Sequence, residues 1–334
     1  MSEITGLFDS PTTTEATIAR LQSPNAPAVL TTQPESPANI QTRPQPAPQI
    51  PIKCPKDCNK NGGAFDSLEE LVTHCSERHI AQSDDWASLG RHELVLWWAA
   101  QNGHEEVVRL LLLLAGVDNL DLEATDRSKV TPLAIAVDKG HDNICRLLLE
   151  HGANIECRDE YLMTPLVIAA VWGWGVIARL LLESGADPHT QSVGEETPLI
   201  RAAWVGHKEI ARLLLDKGVD PNHKSEIGKA ALSYAAQQGH VDIVALLLER
   251  GADIDTRDSA SRTPLWCAVR YQGGPEVIRL LLQKGADLAV TVRGRTLLSA
   301  ARRRDRKTGG TEISSVLKEY GVREEKLGGG EAGG

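Results

Sequence analysis

Two cysteines and two histidines carry the most chemically pointed spacing in this chain. Cys54 and Cys58 are followed by His74 and His79 in the pattern C-x3-C-x15-H-x4-H. Two thiolates and two imidazoles in close pairs are a donor set that tetrahedral Zn2+ takes. Cys75 stands beside this set and could replace a histidine. Cys145, Cys157 and Cys267 are scattered, which is thiol usage of a reducing compartment rather than a disulfide framework. Four of the ten histidines follow a glycine, at Gly103-His104, Gly140-His141, Gly206-His207 and Gly239-His240, where the ring is expected to bond loop backbone. The chain shows no nucleophile elbow, no phosphate-cradling glycine loop and no carboxylate pair in an expected cleft, so no enzyme is read from it.

The element that must position the metal-spaced residues is a short helix. Phe65-x5-Leu71-x2-His74 supplies an aromatic and a leucine for a small core next to the histidines. On these residues, segment 51–82 resembles a single C2H2 zinc finger, and the resemblance implies zinc held by Cys54, Cys58, His74 and His79. The interval Cys58-x6-Phe65 is three residues longer than usual, with Gly62-Gly63 expected to form the extra loop. The finger positions that would read bases fall on Ser67, Glu70 and Thr73, beside Asp66 and Glu69, with no Lys or Arg from 66 to 77. Affinity for duplex comes chiefly from neutralising phosphates, so this helix is read as touching protein rather than DNA.

A longer rhythm organises the rest. Thr131-Pro132-Leu133 recurs at Thr164, Thr197 and Thr263, and Ala230-Ala231-Leu232 fills the gap, each start 33 residues from the last. A fixed period of this size means stacked supersecondary units rather than one globular core. Within a unit, Thr131 is placed to cap a helix and Pro132 suits its first turn. Gly140-His141 closes that helix, and Ile144, Leu147 and Leu148 give the apolar stripe of a second, ended by Gly152.

Thr-Pro-Leu, Ala-Ala, Gly-His, Leu-Leu-Leu and Gly-Ala-Asp at fixed offsets resemble ankyrin repeats. The resemblance implies an all-α solenoid of about seven helix-pair repeats with β-turn fingers, spanning 86–322. Its ends drift: Leu94-Val95-Leu96 replaces Thr-Pro-Leu at the start, and Leu297 takes the proline position in the last unit. Terminal repeats need one polar outer face, so atypical ends are expected. Residues 1–50 hold eight of the 17 prolines with many Thr, Ser and Gln, and are read as a disordered arm; 323–334 are read as a Gly-rich tail.

The family places the two residues after Ala-Ala on the concave face, where polar groups are usual. Here they are Val171-Trp172 and Trp204-Val205, with Tyr161 and Met163 in the turn before. An apolar aromatic patch of this kind is expected to contact a protein partner, since Trp and Tyr dominate binding hot spots. Trp174, in the usual histidine place, and Trp97, Trp98 and Trp266 are expected in the core. Arg302, Arg303, Arg304, Arg306 and Lys307 form the densest basic run, read as a solvated cap, a nuclear import signal or a phosphate-binding patch. Net charge is −9, so no overall field draws nucleic acid or an anionic membrane. No apolar run is long enough to span a bilayer, and no secretory signal opens the chain. The expected function is that of a non-enzymatic interaction adaptor, nuclear more than cytoplasmic and not secreted, binding protein without a small-molecule substrate. It resembles fungal-type ankyrin transcriptional coregulators, although no basic region precedes the repeats; the alternatives are a cytoplasmic inhibitory scaffold and a zinc-finger DNA-binding factor.

Overall fold

A computed structural model describes residues 68–75, 91–118 and 120–322. All of them fall in the larger of two units, Ile52–Gly334; the smaller one, Met1–Pro51, and the expected tail lie outside the described residues.

The second repeat shows how the sequence makes its local structure. Thr131 takes an extended backbone and its hydroxyl accepts from the Ala134 amide at 3.2 Å, which caps helix α4 (Pro132–Lys139). Gly140 stops that helix at φ 77°, a left-handed conformation that costs a side chain little only when it is absent. Two residues later α5 (Asp142–Glu150) runs back, burying Ile144, Cys145, Leu147 and Leu148. A connection this short makes the two helices an antiparallel hairpin.

The same unit recurs as α6 (Pro165–Trp172) with α7 (Gly175–Glu183), α8 (Pro198–Val205) with α9 (Lys208–Asp216), α10 (Ala231–Gln238) with α11 (Val241–Glu249), and α12 (Pro264–Arg270) with α13 (Pro275–Gln283). Less regular pairs flank them: α2 (Arg91–Asn102) with α3 (Glu105–Asp118), and α14 (Leu297–Thr308) with α15 (Glu312–Glu319). First helices stack on first helices and second on second, so each repeat packs only on its neighbours. One apolar cluster runs through the stack from Leu71 to Leu317 and contains Trp97, Trp98 and Trp266.

Between repeats the chain makes fingers. The Asp159 carboxylate accepts from the amides of Tyr161 (2.9 Å) and Met163 (2.8 Å), and Asp126 and Asp258 brace their own fingers in the same way. That brace holds Lys129, Leu162 and Ser261 at positive φ without glycine. Adjacent fingers are joined by backbone: Glu160 to Ser128, Val193 to Tyr161, Glu226 to Gly194 and Ser259 to Ile227. The last finger is a two-residue antiparallel pair, β1 (Thr291–Val292) and β2 (Arg295–Thr296).

Helix α1 (Leu68–Cys75) is the described part of the expected zinc finger, and it packs against α2. Leu71, Val72 and Cys75 are fully buried in the apolar cluster of the array. The leucine expected to serve a separate small core therefore covers the first repeat.

Candidate partner-binding face

The repeats are locked to one another at their turns. His141 lies over Gly103 with its Nε2 on the Gln101 carbonyl (3.2 Å), His207 over Gly173 on Val171 (3.1 Å), and His240 over Gly206 on Trp204 (3.0 Å). In each case a Cβ on the glycine would fall within 2.7 Å of the ring, so only glycine admits it. Trp174 occupies the same slot over Gly140, and its buried Nε1 has no hydrogen-bond acceptor among the described residues. Burial lowers the affinity of His207 for a proton, against the favourable Val171 carbonyl.

These turns set the heights of the first helices, whose face beside the fingers carries the candidate residues. Trp172 is half-buried, and its Nε1 donates to Asp138 Oδ1 of the preceding repeat at 2.7 Å. Lys139 sits on the other oxygen of that carboxylate at 2.7 Å. The indole is thus fixed in orientation before any partner arrives. Val171 and Met163 are also half-buried, whereas Tyr161 at the fingertip is 57% exposed. Neighbouring Leu162, Val193 and Ile227 continue an exposed apolar edge along the fingertips.

One repeat on, Trp204 is half-buried and stacks on Tyr234 with ring centroids 5.5 Å apart, while Val205 is exposed. The Arg201 guanidinium lies 5.5 Å from the Trp204 centroid and pairs with Glu196 at 2.6 Å. The Tyr234 hydroxyl donates to the other Glu196 oxygen at 3.3 Å. Lys229 donates to Gln237 at 2.6 Å, with its ammonium 5.1 Å from the Tyr234 ring and 5.5 Å from that of Tyr271. Arg262 then reaches the Tyr271 hydroxyl at 2.8 Å and Asp258 at 2.7 Å. The result is a ladder of alternating rings and cations across three repeats. Burial dominates its electrostatics: it raises the Glu196 carboxyl despite Arg201 and lowers the Lys229 ammonium.

Tyr234, Tyr271, Arg201 and Lys229 were not singled out by the sequence reading. The signal was present, since Lys229 and Arg262 both immediately precede a repeat start and Arg201 and Tyr234 occupy equal offsets within their repeats. The thiols are poor nucleophiles here: burial pushes Cys145 up to about 12, and Cys157 and Cys267 up to about 11.

The basic run folds as part of α14. Arg304 turns inward, and its Nη1 donates to the carbonyls of Ala268 (2.7 Å), Val269 (3.3 Å) and Gly273 (2.7 Å) at the end of α12. Asp305 is buried, and its carboxylate accepts from the Ile313 and Ser314 amides that open α15. Arg303, Arg306 and Lys307 remain exposed. Of the expected metal ligands, Cys54, Cys58 and His79 lie outside the described residues, and His74 is half-buried on α1. Cys75 is fully buried against the array. Among the described residues no helix is long and apolar enough to cross a membrane.

The geometry agrees with comparisons to known proteins. A family model for ankyrin repeats in three copies matches residues 58–159, 96–192, 160–225 and 199–292. The fold is similar to the crystal structure of the human ASB11 ankyrin repeat domain, at 28% identity and TM-score 0.60, over 69% of this chain and 99% of that one. It is also similar to the ankyrin repeat domain of Bcl-3, described as a unique member of the IkappaB protein family, at 25% identity and TM-score 0.57, over 67% of this chain and 97% of that one. No curated protein matches by sequence. With its hairpin pairs, braced fingers and a family model covering most of its length, the chain belongs to the ankyrin repeat family.

Proposed function

We propose that this chain is a non-enzymatic adaptor that holds another protein on the face formed by its fingers and first helices, and that it acts in the nucleus as a transcriptional coregulator. Ankyrin repeats mediate binding to other proteins. The observation carrying the choice of face is the pair Trp172 and Trp204, half-buried in adjacent repeats and oriented by Asp138, Tyr234 and Arg201. Rigid, partly buried aromatics of this kind are the usual energetic centre of an interface. Tyr161, Met163, Val171 and Val205 widen the patch. The nuclear assignment is supported by the exposed Arg303, Arg306 and Lys307 on α14.

Zinc held by Cys54, Cys58, His74 and His79 belongs to the same proposal. The donor set suits the ion, and α1 presents the half-buried His74 beside a helix face that is already committed to the array. Zinc there would fix the segment that caps the first repeat, a structural task rather than a catalytic one.

Photo-crosslinking from single sites tests the face. A benzophenone amino acid replacing Tyr161 or Val205 is expected to capture the partner in cells, and one replacing Leu113, 67% exposed on α3, is expected to capture none of it. Equal capture from Leu113 would contradict the assignment.

A further inference from the structure

The charge of the array is divided along its length. Residues 91–223 hold 20 Asp and Glu against 12 Lys and Arg, whereas residues 224–307 hold nine against 15. The C-terminal cations are also in register. Lys229, Arg262 and Arg295 immediately precede successive repeat starts, each 33 residues from the last, and Arg270 and Arg303 repeat at the same interval. Equal offsets in stacked repeats place equal groups one above another, so these residues form two columns on the face already described.

The N-terminal end of the first column is occupied from within. Lys229 is buried against Gln237 and two tyrosine rings, and Arg262 is held by Asp258 and Tyr271. Further along the balance changes. Arg295 and Arg303 are exposed, Arg270 is half-buried against the Tyr271 ring, and among the described residues none of the three pairs with a carboxylate. Arg293, at the tip of the last finger, is exposed and likewise without a carboxylate partner.

We propose that these columns bind an extended acidic segment of the partner protein, with carboxylates at every third residue. The inference rests on the reading that this face binds protein, and adds the chemistry of what it binds. Stacked helices lie about 8–10 Å apart. An extended segment in the polyproline II conformation rises about 3.1 Å per residue with three residues per turn, so side chains three residues apart share one face and match one repeat step. The spacing also argues against nucleic acid as the occupant. Duplex DNA carries one charge per about 1.7 Å of axis, far denser than one column cation per repeat. A long polyanion would also run onto the acidic half of the array. A short acidic peptide confined to repeats six and seven, where Arg270, Arg293, Arg295 and Arg303 lie, meets neither difficulty.

The experiment is fluorescence polarisation on the full chain with three probes. The first is a labelled peptide with Asp at every third position separated by Ala and Ser; the second has the same composition with the Asp residues contiguous; the third is a labelled duplex oligonucleotide. The spaced peptide is expected to bind at least fivefold more tightly than the contiguous one and more tightly than the duplex, and to weaken as salt rises. The double variant Arg295→Glu/Arg303→Glu alters two exposed side chains without ion pairs, so its circular dichroism is expected to match wild type, and its affinity for the spaced peptide is expected to fall about tenfold or more. Equal binding of the two peptides, tighter binding of the duplex, or an undiminished double variant would each overturn the proposal. Failure here is separable from failure of the adaptor reading. A cellular partner lost by Trp172→Ala/Trp204→Ala but fully retained by Arg295→Glu/Arg303→Glu removes the acidic track and leaves the adaptor intact.

Discussion

Arg304→Ala is expected to unfasten the last repeat. In the wild type one guanidinium closes the end of α12 through carbonyl contacts at 2.7, 2.7 and 3.3 Å, where Tyr271-Gln272-Gly273-Gly274 replaces the usual Gly-His turn. A hydrogen bond from a charged donor is worth about 1.5–3 kcal/mol net, and the alanine variant leaves those carbonyls without their donor. Two short bonds and one long one, discounted for the half-exposed position of Arg304, give an expected loss of about 2–4 kcal/mol. Arg303, one residue earlier, is exposed and forms no ion pair among the described residues, so Arg303→Ala should stay within about 0.5 kcal/mol. Because repeats couple only to neighbours, the loss should appear as early hydrogen exchange in α14 and α15, with α4 to α9 unaffected. Denaturant melts give the magnitude and exchange mass spectrometry the location. Arg304→Ala behaving like Arg303→Ala, or a loss spread evenly along the array, would refute the reasoning.

Gly206→Ala should cost about 2–3 kcal/mol, because φ is 108° and the new Cβ would meet His240 at 2.7 Å; Gly218→Ala, at φ 81° in open space, should cost only about 1 kcal/mol, and equal losses in chemical denaturation would contradict the ring-over-glycine lock. Trp174→His should hold or raise stability despite losing a large ring, since the indole N–H is orphaned and an imidazole could bond backbone as His207 does; a loss above about 2 kcal/mol would argue against this. For His207 the folded pKa lies below the unfolded one, so its contribution is present above the ordinary histidine range and is lost as pH falls through it. The stability gap between wild type and His207→Gln should therefore narrow on acidification, and a widening gap would reverse the sign. Purified chain should carry one zinc, and chelation should speed exchange in α2 as well as in α1, since Leu71 and Val72 pack on the array; chelation that leaves α2 protected would detach the metal from the cap.

What the sequence disclosed was whatever repeats or acts locally. The interval from Thr131 to Thr164 announced the stack, and Thr131-Pro132 with Gly140 marked helix bounds that the backbone follows. The core placement of Trp97, Trp98 and Trp266 followed from their offsets. Contacts reaching back a whole repeat were not legible, because no local pattern states them. Arg304 read as one residue of a basic run, yet it is spent on carbonyls 31 to 36 residues earlier. Trp172 and Trp204 read as surface groups, and each proves partly committed, to Asp138 and to Tyr234. The packing of Cys75 on the array was not legible either, because a helix of eight residues does not announce which neighbour it will cover.

The most direct test measures affinity for the crosslinked partner and folding stability on the same two proteins, Trp172→Ala and Trp204→Ala. Both rings are half-buried, so truncation should cost less than the roughly 3–5 kcal/mol of a fully buried tryptophan. Binding should weaken by about tenfold or more in each variant, with fold stability falling by at most about 2 kcal/mol. Full-sized destabilisation with unchanged affinity of the folded fraction would contradict the account and place both rings in the core.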